Sequence, residues 1–428
     1  MIYQTIMNRM TLAMAMAATM IMTSCSKDDY KAAIPRNAIA LMMVDMTKTG
    51  GDNAVAKDMA DSGIDFTNDV ILFETSDRNF GLCASIEDHA MLEEWIGRKV
   101  KEKECTDVTR RNDVTFVFYK DAWVVGFDER SILMLGPVLP NMKQQLQQQM
   151  ARWLGQDRSQ SIMESRLYAV VDSIAAPMKM IANISALPET FVAPFTVGLP
   201  PNTDPSQVYV KAEISRTSDI LSMKGESFSF NKRVDEALKK AAKVFRPLNG
   251  RFHELPQDAF LTLLTNVEGT SFIETMQRDK ALKGVLAGLQ AVIDLNSVFR
   301  SVDGEFMLSV TPEHLSTDMA TDGTQHSLTM QAELANDDFT KKVWHNASAG
   351  FSFSISQAVD GKKAVLQCSN ANGQPSDHPS RDCSPFIKGE RMCLVVQLNA
   401  LDNEMSLAVK SVLATVFGNA STLLYTIK

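Results

Sequence analysis

The sequence has few of the short motifs that identify enzymes and cofactor-binding proteins. It contains no P-loop, and no GxGxxG stretch precedes a predicted helix; the glycines of such motifs let backbone N–H groups cradle phosphates. No two of the six cysteines have the CxxC spacing that zinc sites commonly use. We therefore expect neither a nucleotide cofactor nor a metal cofactor.

The chain also lacks an excess of positive charge. Its 43 lysines and arginines are outnumbered by 51 aspartates and glutamates, and the basic residues form no continuous stripe. Proteins that bind nucleic acids use such a stripe to neutralise phosphates, so we expect no nucleic-acid partner. A hydrophobic content of 45% is typical of a packed globular protein.

Long apolar runs are missing after the first 24 residues, and the run that precedes them is short. Arg9 supplies a positive start, and Thr11 to Met22, TLAMAMAATMIM, is apolar. This stretch is shorter than the roughly 20 residues that a membrane-spanning helix needs. The pattern is typical of an export signal, and we assign residues 1–24 to a cleaved signal peptide.

The end of this signal, Met22-Thr23-Ser24-Cys25, resembles the bacterial lipoprotein box, although that family prefers Leu at the first position. The resemblance implies that Cys25 becomes the first mature residue and carries a diacylglycerol. Buried acyl chains can hold a protein at a membrane without a spanning helix. We expect residues 25–34 to be a tether to that anchor. The alternatives are an ordinary secretory signal and a buried N-terminal helix.

The residues after the cysteine resemble a second signal. Ser26-Lys27-Asp28-Asp29 is similar to the acidic stretch that directs lipoproteins of the Bacteroidota to the cell surface. The body, beginning IPRNAIALMMVDM, resembles a Bacteroidota lipoprotein family of unknown function. These resemblances imply an outer-membrane location, on the cell surface or, alternatively, on the periplasmic face. They bring no catalytic residues.

Internal similarity is the most informative pattern in the body. Four blocks recur in the same order, which makes chance a poor explanation. The pairs are Pro35 to Met46 with Pro256 to Val267, Phe80 to Trp95 with Leu328 to Trp344, Val114 to Phe127 with Phe351 to Leu366, and Leu167 to Ile174 with Leu394 to Leu401. We predict two related domains, 35–250 and 251–428. One large mixed sheet is the alternative.

The strands arrive mostly in pairs joined by tight turns, such as the Asp360-Gly361 turn. Paired strands of this kind predict largely antiparallel sheets. Helices are expected over Ala90 to Lys101 and Lys232 to Phe245. We therefore predict an α+β fold in which each domain packs helices on one face of its sheet.

Asp45, Asp172, Asn266 and Asn399 each follow an apolar, strand-like run. Carboxylates aligned at strand ends could form a catalytic or metal site. Asp and Asn are also the preferred N-caps of helices, since their oxygens accept the free N–H groups of the first turn. Capping explains why Asp and Asn interchange between the repeats, and we favour it.

Two stretches are irregular. Residues 186–207 hold five of the fifteen prolines and include the apolar Phe191, Phe195 and Leu199. They are predicted to form a connector, either packed onto its own domain or exposing those three residues as a contact surface for a partner. Residues 367–381 are polar, have no counterpart in the first half and predict a surface loop.

Five cysteines remain after Cys25 is assigned to the anchor. Cys368 and Cys383 bracket the polar loop, and a disulfide between them would contribute roughly 3 kcal/mol by closing a short loop. Cys393 competes for either partner, and Cys83 and Cys105 could pair or stay buried. Because five is odd, at least one thiol stays free unless it pairs between chains.

Other candidate sites have simpler explanations. His314 and His326 flank two aspartates, but the segment also fits a polar hairpin loop. The serine in Asn346 to Gly350 lacks the first glycine of a nucleophile elbow. Glu93-Glu94 and Asp337-Asp338 lie on predicted helices, where a solvated face is the default. No catalytic residue is assigned.

These observations predict an outer-membrane, surface-exposed lipoprotein that acts as a binding or scaffold module for a protein or glycan. The alternative is an extracytoplasmic hydrolase of glycan or peptide, with a carboxylate-based site between the domains. A hydrolase of this kind needs two carboxylates roughly 5–10 Å apart in a cleft.

Overall fold

A computed structural model describes residues 29–49, 60–111, 113–120, 122–186, 203–276, 299–312, 326–334, 352–356, 364–369, 379–398 and 420–427. The chain forms two compact units. The first comprises residues 1–38 and 60–168, and the second comprises residues 39–59 and 169–428. These boundaries differ from those of the two predicted domains, whose origin in a duplication stays a prediction.

The fold is α+β, as predicted, and the described residues form more strands than helices. The strands are β1 Ala38–Val44, β2 Ile64–Asp65, β3 Val70–Thr75, β4 Phe80–Ile86, β5 Thr109–Arg111, β6 Val114–Tyr119, β7 Trp123–Phe127, β8 Ser131–Gly136, β9 Met178–Asn183, β10 Tyr209–Thr217, β11 Ile220–Phe228, β12 Glu254–Pro256, β13 Leu261–Glu268, β14 Val302–Pro312, β15 His326–Leu334, β16 Ser352–Ser356, β17 Ala364–Ser369, β18 Ser380–Asp382, β19 Met392–Gln397 and β20 Thr422–Ile427.

The helices are α1 Met46–Thr49, α2 His89–Lys101, α3 Lys143–Leu154, α4 Arg166–Asp172, α5 Lys232–Ala242, α6 Gly269–Met276 and α7 Ser384–Ile387. Short 3-10 helices cover Asp29–Ala33, Pro140–Met142, Arg158–Gln160, Ile162–Glu164, Ile184–Ala186 and Pro205–Gln207. None of the helices in the described part of the chain combines the length and the apolar character that crossing a bilayer takes.

The sheet of the first unit is antiparallel. Its strands follow the order β5-β6-β7-β8-β4, and β2 and β3 pair with successive parts of β4. The predicted hairpin over Val114–Phe127 is confirmed as β6–β7. The helix expected over residues 90–101 is confirmed as α2, in which Leu92 and Ile96 are buried. Asp88 caps α2 by accepting a hydrogen bond from the N–H of Met91.

The first unit also contains the start of the described chain. Tyr30 and Ile34 are buried, and the Tyr30 hydroxyl donates a 2.7 Å hydrogen bond to the carbonyl of Asp69. The side-chain amide of Gln156 donates to the carbonyls of Ala32 and Ile34. The segment that the sequence assigned to a tether is therefore part of the packed unit from residue 29 onward.

The main sheet of the second unit follows the order β1-β9-β10-β11-β20-β19-β13-β14-β15-β17-β16. Its described pairs are antiparallel except the parallel pair β11–β20. The predicted pairing of residues 352–356 with residues 364–369 is confirmed. Strands β12 and β18 form a separate antiparallel pair. The packing of helices on one face of each sheet stays a prediction.

One of the four repeat blocks was read wrongly. The sequence assigned Leu167 to Ile174 to a strand, but most of it lies in α4. Its partner block contains β19, which is a strand. A short apolar run does not distinguish a buried strand from a helix, because both hide such residues.

The capping explanation holds for one of the three described positions. Asp45 caps α1 by accepting from the N–H groups of Thr47 and Lys48. Asp172 ends a helix, and Asn266 lies within β13 and donates to the carbonyl of Pro247. The cap of α6 is instead Glu268, which accepts from the first-turn N–H groups of that helix.

Candidate functional site

A loop in the second unit connects α5 to β12, and we call residues 246–253 the anchored loop. Its anchor is Glu305 of β14, whose side chain is fully buried. One carboxylate oxygen, Oε1, accepts from the N–H groups of Asn249 and Gly250 at 2.5 and 2.7 Å. The other oxygen accepts from the N–H groups of Arg251 and Phe252 at 2.7 and 3.0 Å.

Four consecutive backbone donors thus converge on one buried carboxylate. Burying a charge is costly unless hydrogen bonds replace the water it loses, and here both oxygens of Glu305 receive two bonds each. Because all four N–H groups donate to the same side chain, the hydrogen bonds restrict the loop backbone to one conformation. Glu305 therefore fixes the path of the anchored loop.

A second carboxylate reinforces this anchor. Glu333 on the neighbouring strand β15 is 6% exposed. Its Oε1 accepts a 2.9 Å hydrogen bond from Nη1 of Arg251, and its Oε2 accepts a 2.7 Å hydrogen bond from the backbone N–H of Glu305. The guanidinium neutralises Glu333, so the loop contributes both the backbone donors and the compensating positive charge.

The anchored loop ends at His253, beside the β12–β18 pair. Nδ1 of His253 lies 2.8 Å from the carbonyl oxygen of Gly250. A carbonyl can only accept, so Nδ1 carries the hydrogen and the neutral ring keeps a lone pair on Nε2. That Nε2 lies 3.9 Å from Oε1 of Glu254.

Glu254 on β12 stands directly opposite Asp382 on β18. Both carboxylates accept local hydrogen bonds: the Ser380 hydroxyl donates to Glu254 Oε2 at 2.9 Å, and the N–H of Ser384 donates to Asp382 Oδ1 at 2.8 Å. The bonds from Ser384 are the main cause of a lowered Asp382 pKa, and the nearby His253 adds to it. Asp382 is therefore ionised at neutral pH.

The three side chains form a group with the chemistry of metal ligands. His253, Glu254 and Asp382 each offer one ligand atom, and these atoms lie within 4.8 Å of one another. Within the described ranges, this is the group that could hold a metal ion. The neighbouring Arg381 does not add its charge to the group, because its guanidinium forms two 3.1 Å hydrogen bonds with Asp219.

Sequence reasoning missed this group. His253 and Glu254 are adjacent in the chain, but Asp382 follows Glu254 only 128 positions later. A pattern search has no reason to join them. Pairing of the two three-residue strands β12 and β18 brings these residues together. No sequence pattern predicts that these two short segments pair.

The predicted site residues are only partly within the described chain. Cys25, Ser26, Lys27 and Asp28 lie outside it, as do Phe191, Phe195 and Leu199. Asp29 begins the 3-10 helix Asp29–Ala33. The lipidation, the export signal and the contact surface therefore stay predictions.

The predicted disulfide would pair Cys383, whose side chain is described, with Cys368, whose side chain is not. Cys383 is a buried thiol, and burial raises its pKa to about 11. Cys368 lies on β17, but its side chain is not among those described. Their pairing stays a prediction. Cys83, Cys105 and Cys393 are buried thiols.

The remaining candidates fall into two groups. Glu93 and Glu94 belong to α2 and pair with Arg110 and Arg98 on an exposed surface, as the solvated-face explanation predicts. The others lie outside the described side chains: His314 with the two following aspartates, His326, the serine of 346–350, Asp337-Asp338 and Asn399.

Comparison with known proteins identifies a family. A family model described as a domain of unknown function, DUF4836, matches residues 36–364. No curated protein matches the chain. Two solved structures are similar at 8% identity, both of TP0453. Crystal form IV has a TM-score of 0.28 and covers 45% of this chain and 76% of that one. Crystal form III has a TM-score of 0.26 and covers 79% and 93%.

Proposed function

We propose that the chain, which belongs to the DUF4836 family of domains of unknown function, is a lipid-anchored protein of the bacterial outer membrane. In this proposal Cys25 carries the acyl chains, and Ser26 to Asp29 direct the protein to the cell surface. The body acts as a non-catalytic binding or scaffold module for a protein or glycan.

The observation that carries this proposal is the position of Tyr30, the first buried residue in the part of the chain that the structure describes. Tyr30 is 2% exposed, and it follows Cys25 by five positions. A fully extended chain gains at most about 3.6 Å per residue, so the linkage reaches roughly 18 Å at most. An acylated Cys25 would hold the first unit close to the lipid surface, which suits a module that presents a surface to ligands beside the membrane.

The Bacteroidota origin and the internal duplication belong to the same proposal. The lipoprotein box and the acidic stretch support the first. The second is supported by two hairpins at corresponding places, Val114–Phe127 and residues 352–369. The helix at Arg166–Asp172 does not fit the fourth repeat block, so the proposed repeat rests on the other three.

Expression in a Bacteroidota host tests the lipid anchor and the surface-export signal separately. We expect the wild-type protein to enter the membrane fraction, to accumulate as precursor with globomycin, and to be digested by protease on intact cells. Cys25→Ala should be released from the membrane fraction. Thr23→Ala, which keeps a small residue in the signal, is the matched control and should behave as wild type.

A triple substitution of Lys27, Asp28 and Asp29 by alanine should keep acylation but protect the protein from protease until the outer membrane is opened. Membrane attachment of Cys25→Ala would contradict the lipid anchor. A wild-type protein that protease cannot reach on intact cells would contradict the surface location while leaving the anchor in place.

A further inference from the structure

We propose that His253, Glu254 and Asp382 form a binding site for a divalent transition-metal ion such as Zn²⁺. This site is separate from the lipid anchor and does not depend on the proposed function. The inference rests on the direction of the histidine ring, on the opposition of the two carboxylates and on the rigid loop that carries the histidine.

The histidine is oriented as a metal ligand. Metal-bound histidines commonly donate their other ring N–H to a carbonyl or carboxylate, which fixes the tautomer and the ring direction. His253 has this arrangement, because Nδ1 donates to the carbonyl of Gly250 at 2.8 Å. Its Nε2 lies on the side of Glu254, with a separation of 3.9 Å that is too long for a hydrogen bond.

The two carboxylates stand where a cation would stabilise the fold. Like charges directly opposite in an antiparallel pair repel each other, and Glu254 and Asp382 occupy such opposed positions. Ser380 and Ser384 each bond one oxygen of a carboxylate. Oε1 of Glu254, which does not take the bond from Ser380, lies on the side of His253 Nε2, and a divalent cation between these side chains would neutralise both carboxylates.

The distances suit a transition metal after small side-chain rotations. Bonds of about 2.0–2.2 Å from zinc to nitrogen and oxygen place two ligands of a tetrahedral site roughly 3.4 Å apart. The observed ligand atoms lie within 4.8 Å of one another. Glu254 is 54% exposed, so its side chain can close the difference without disturbing the core.

The loop geometry reduces the cost of binding. His253 directly follows Phe252, the last of four residues whose N–H groups are held by buried Glu305. Arg251 is held by Glu333. A ligand on a fixed backbone loses less conformational freedom when the metal binds. Exposed carboxylates alone would lack this preorganisation.

The donor set selects the class of metal. One imidazole nitrogen and two carboxylate oxygens favour Zn²⁺ and its transition-metal neighbours over Mg²⁺ and Ca²⁺, which prefer oxygen ligands alone. Three protein ligands leave at least one coordination position for water or for a group of a bound partner.

Calorimetric titration of the full chain in detergent, stripped of metals by a chelator that is then removed, tests the site. We expect one Zn²⁺ to bind per chain and Mg²⁺ to bind far more weakly. His253→Gln and Asp382→Asn should each weaken Zn²⁺ binding by about tenfold or more. His89→Gln, a substitution at a histidine of the first unit, is the matched control and should leave the affinity unchanged.

Cobalt distinguishes this site from the thiols. Co²⁺ held by one nitrogen and two oxygens should show weak visible bands without the near-ultraviolet charge-transfer band of thiolate ligation. Circular dichroism of the metal-free variants checks folding, and the exposed Asp382 gives a readout even if His253→Gln folds poorly. Wild-type affinity in both variants, or no Zn²⁺ binding at about 1 mM, would overturn the proposal.

Discussion

The backbone N–H of Glu305 donates a 2.7 Å hydrogen bond to Oε2 of Glu333, which joins two buried acidic residues on neighbouring strands. Burying two carboxylates is costly unless hydrogen bonds or opposite charges compensate each of them. Each has its own compensation: Glu305 accepts four loop N–H groups, and Glu333 accepts the guanidinium of Arg251. The loop therefore satisfies the charges, and the charges in turn fix the loop.

Replacing Glu305 with Gln should lower the free energy of unfolding by about 2–3 kcal/mol, because hydrogen bonds to charged groups contribute that much and the charge is lost. In the variant, the side-chain NH₂ group of glutamine would face two backbone N–H donors that in the wild type donate to a carboxylate oxygen. Urea denaturation followed by circular dichroism measures the change.

The control for this substitution is Glu226→Gln. Glu226 forms an exposed ion pair with Lys211, and such pairs contribute about 0–1 kcal/mol. If both variants lose the same small amount of stability, the anchor is energetically unimportant and the role assigned to Glu305 is wrong.

Gly304→Ala should destabilise the second unit by about 2 kcal/mol or more, through strain and a clash. Gly304 has a φ of +154°, and an added Cβ would lie 2.4 Å from Oε2 of Glu333. That oxygen cannot move away without losing the N–H of Glu305. Thermal denaturation should show a lower midpoint for the variant.

Gly97→Ala is the matched control substitution, for which we expect a gain in stability instead of a loss. Gly97 lies inside α2, and nothing lies within 4 Å of an added Cβ. Alanine is favoured over glycine in a helix interior by about 0.8–1 kcal/mol, so this variant should be more stable than wild type. A loss of stability at position 97 would show that the space around the helix is tighter than described.

Local patterns predicted much of this fold because their causes are local. The hairpin at Val114–Phe127 and helix α2 follow from strand alternation, turn residues and apolar spacing that neighbouring residues provide. The apolar run at Leu167 to Ile174 was misread, since its length and composition suit a strand as well as a helix.

The site could not be predicted for a different reason. The bonds from Asn249 and its three successors to Glu305 join residues more than fifty positions apart, and the opposition of Glu254 and Asp382 depends on strand register. A glutamate in a strand gives no local sign that it will be buried. Only the tertiary fold supplies the four donors that make its burial tolerable.

Asp88→Ala should destabilise the first unit by about 1 kcal/mol. Asp88 accepts the N–H of Met91 and thereby satisfies one of the free donors at the start of α2. Asp88→Asn keeps a capping oxygen and should retain most of the stability. Equal losses in the two variants, measured by urea denaturation, would mean that the charge rather than the capping bond matters.

Asp219 should make the stability of the second unit dependent on acidic pH. The Ser421 hydroxyl donates to its carboxylate, which is the largest cause of a lowered Asp219 pKa, and Arg381 adds two hydrogen bonds of 3.1 Å. Because the folded chain binds this proton less readily than the unfolded chain, protonation favours unfolding. The contribution of Asp219 is fully present above about pH 4, the usual range of aspartate, and is lost as pH falls through the lowered folded-state pKa.

Thermal midpoints measured between pH 6 and pH 3, at constant ionic strength, test this dependence. Wild type should lose stability on acidification more steeply than Asp219→Asn, which has no proton to gain at that position. Ser421→Ala keeps the ion pair with Arg381 but removes the bond with the largest effect on the pKa, so its slope should lie between the two. Parallel curves for all three proteins would mean that the Asp219 carboxylate does not couple protonation to folding.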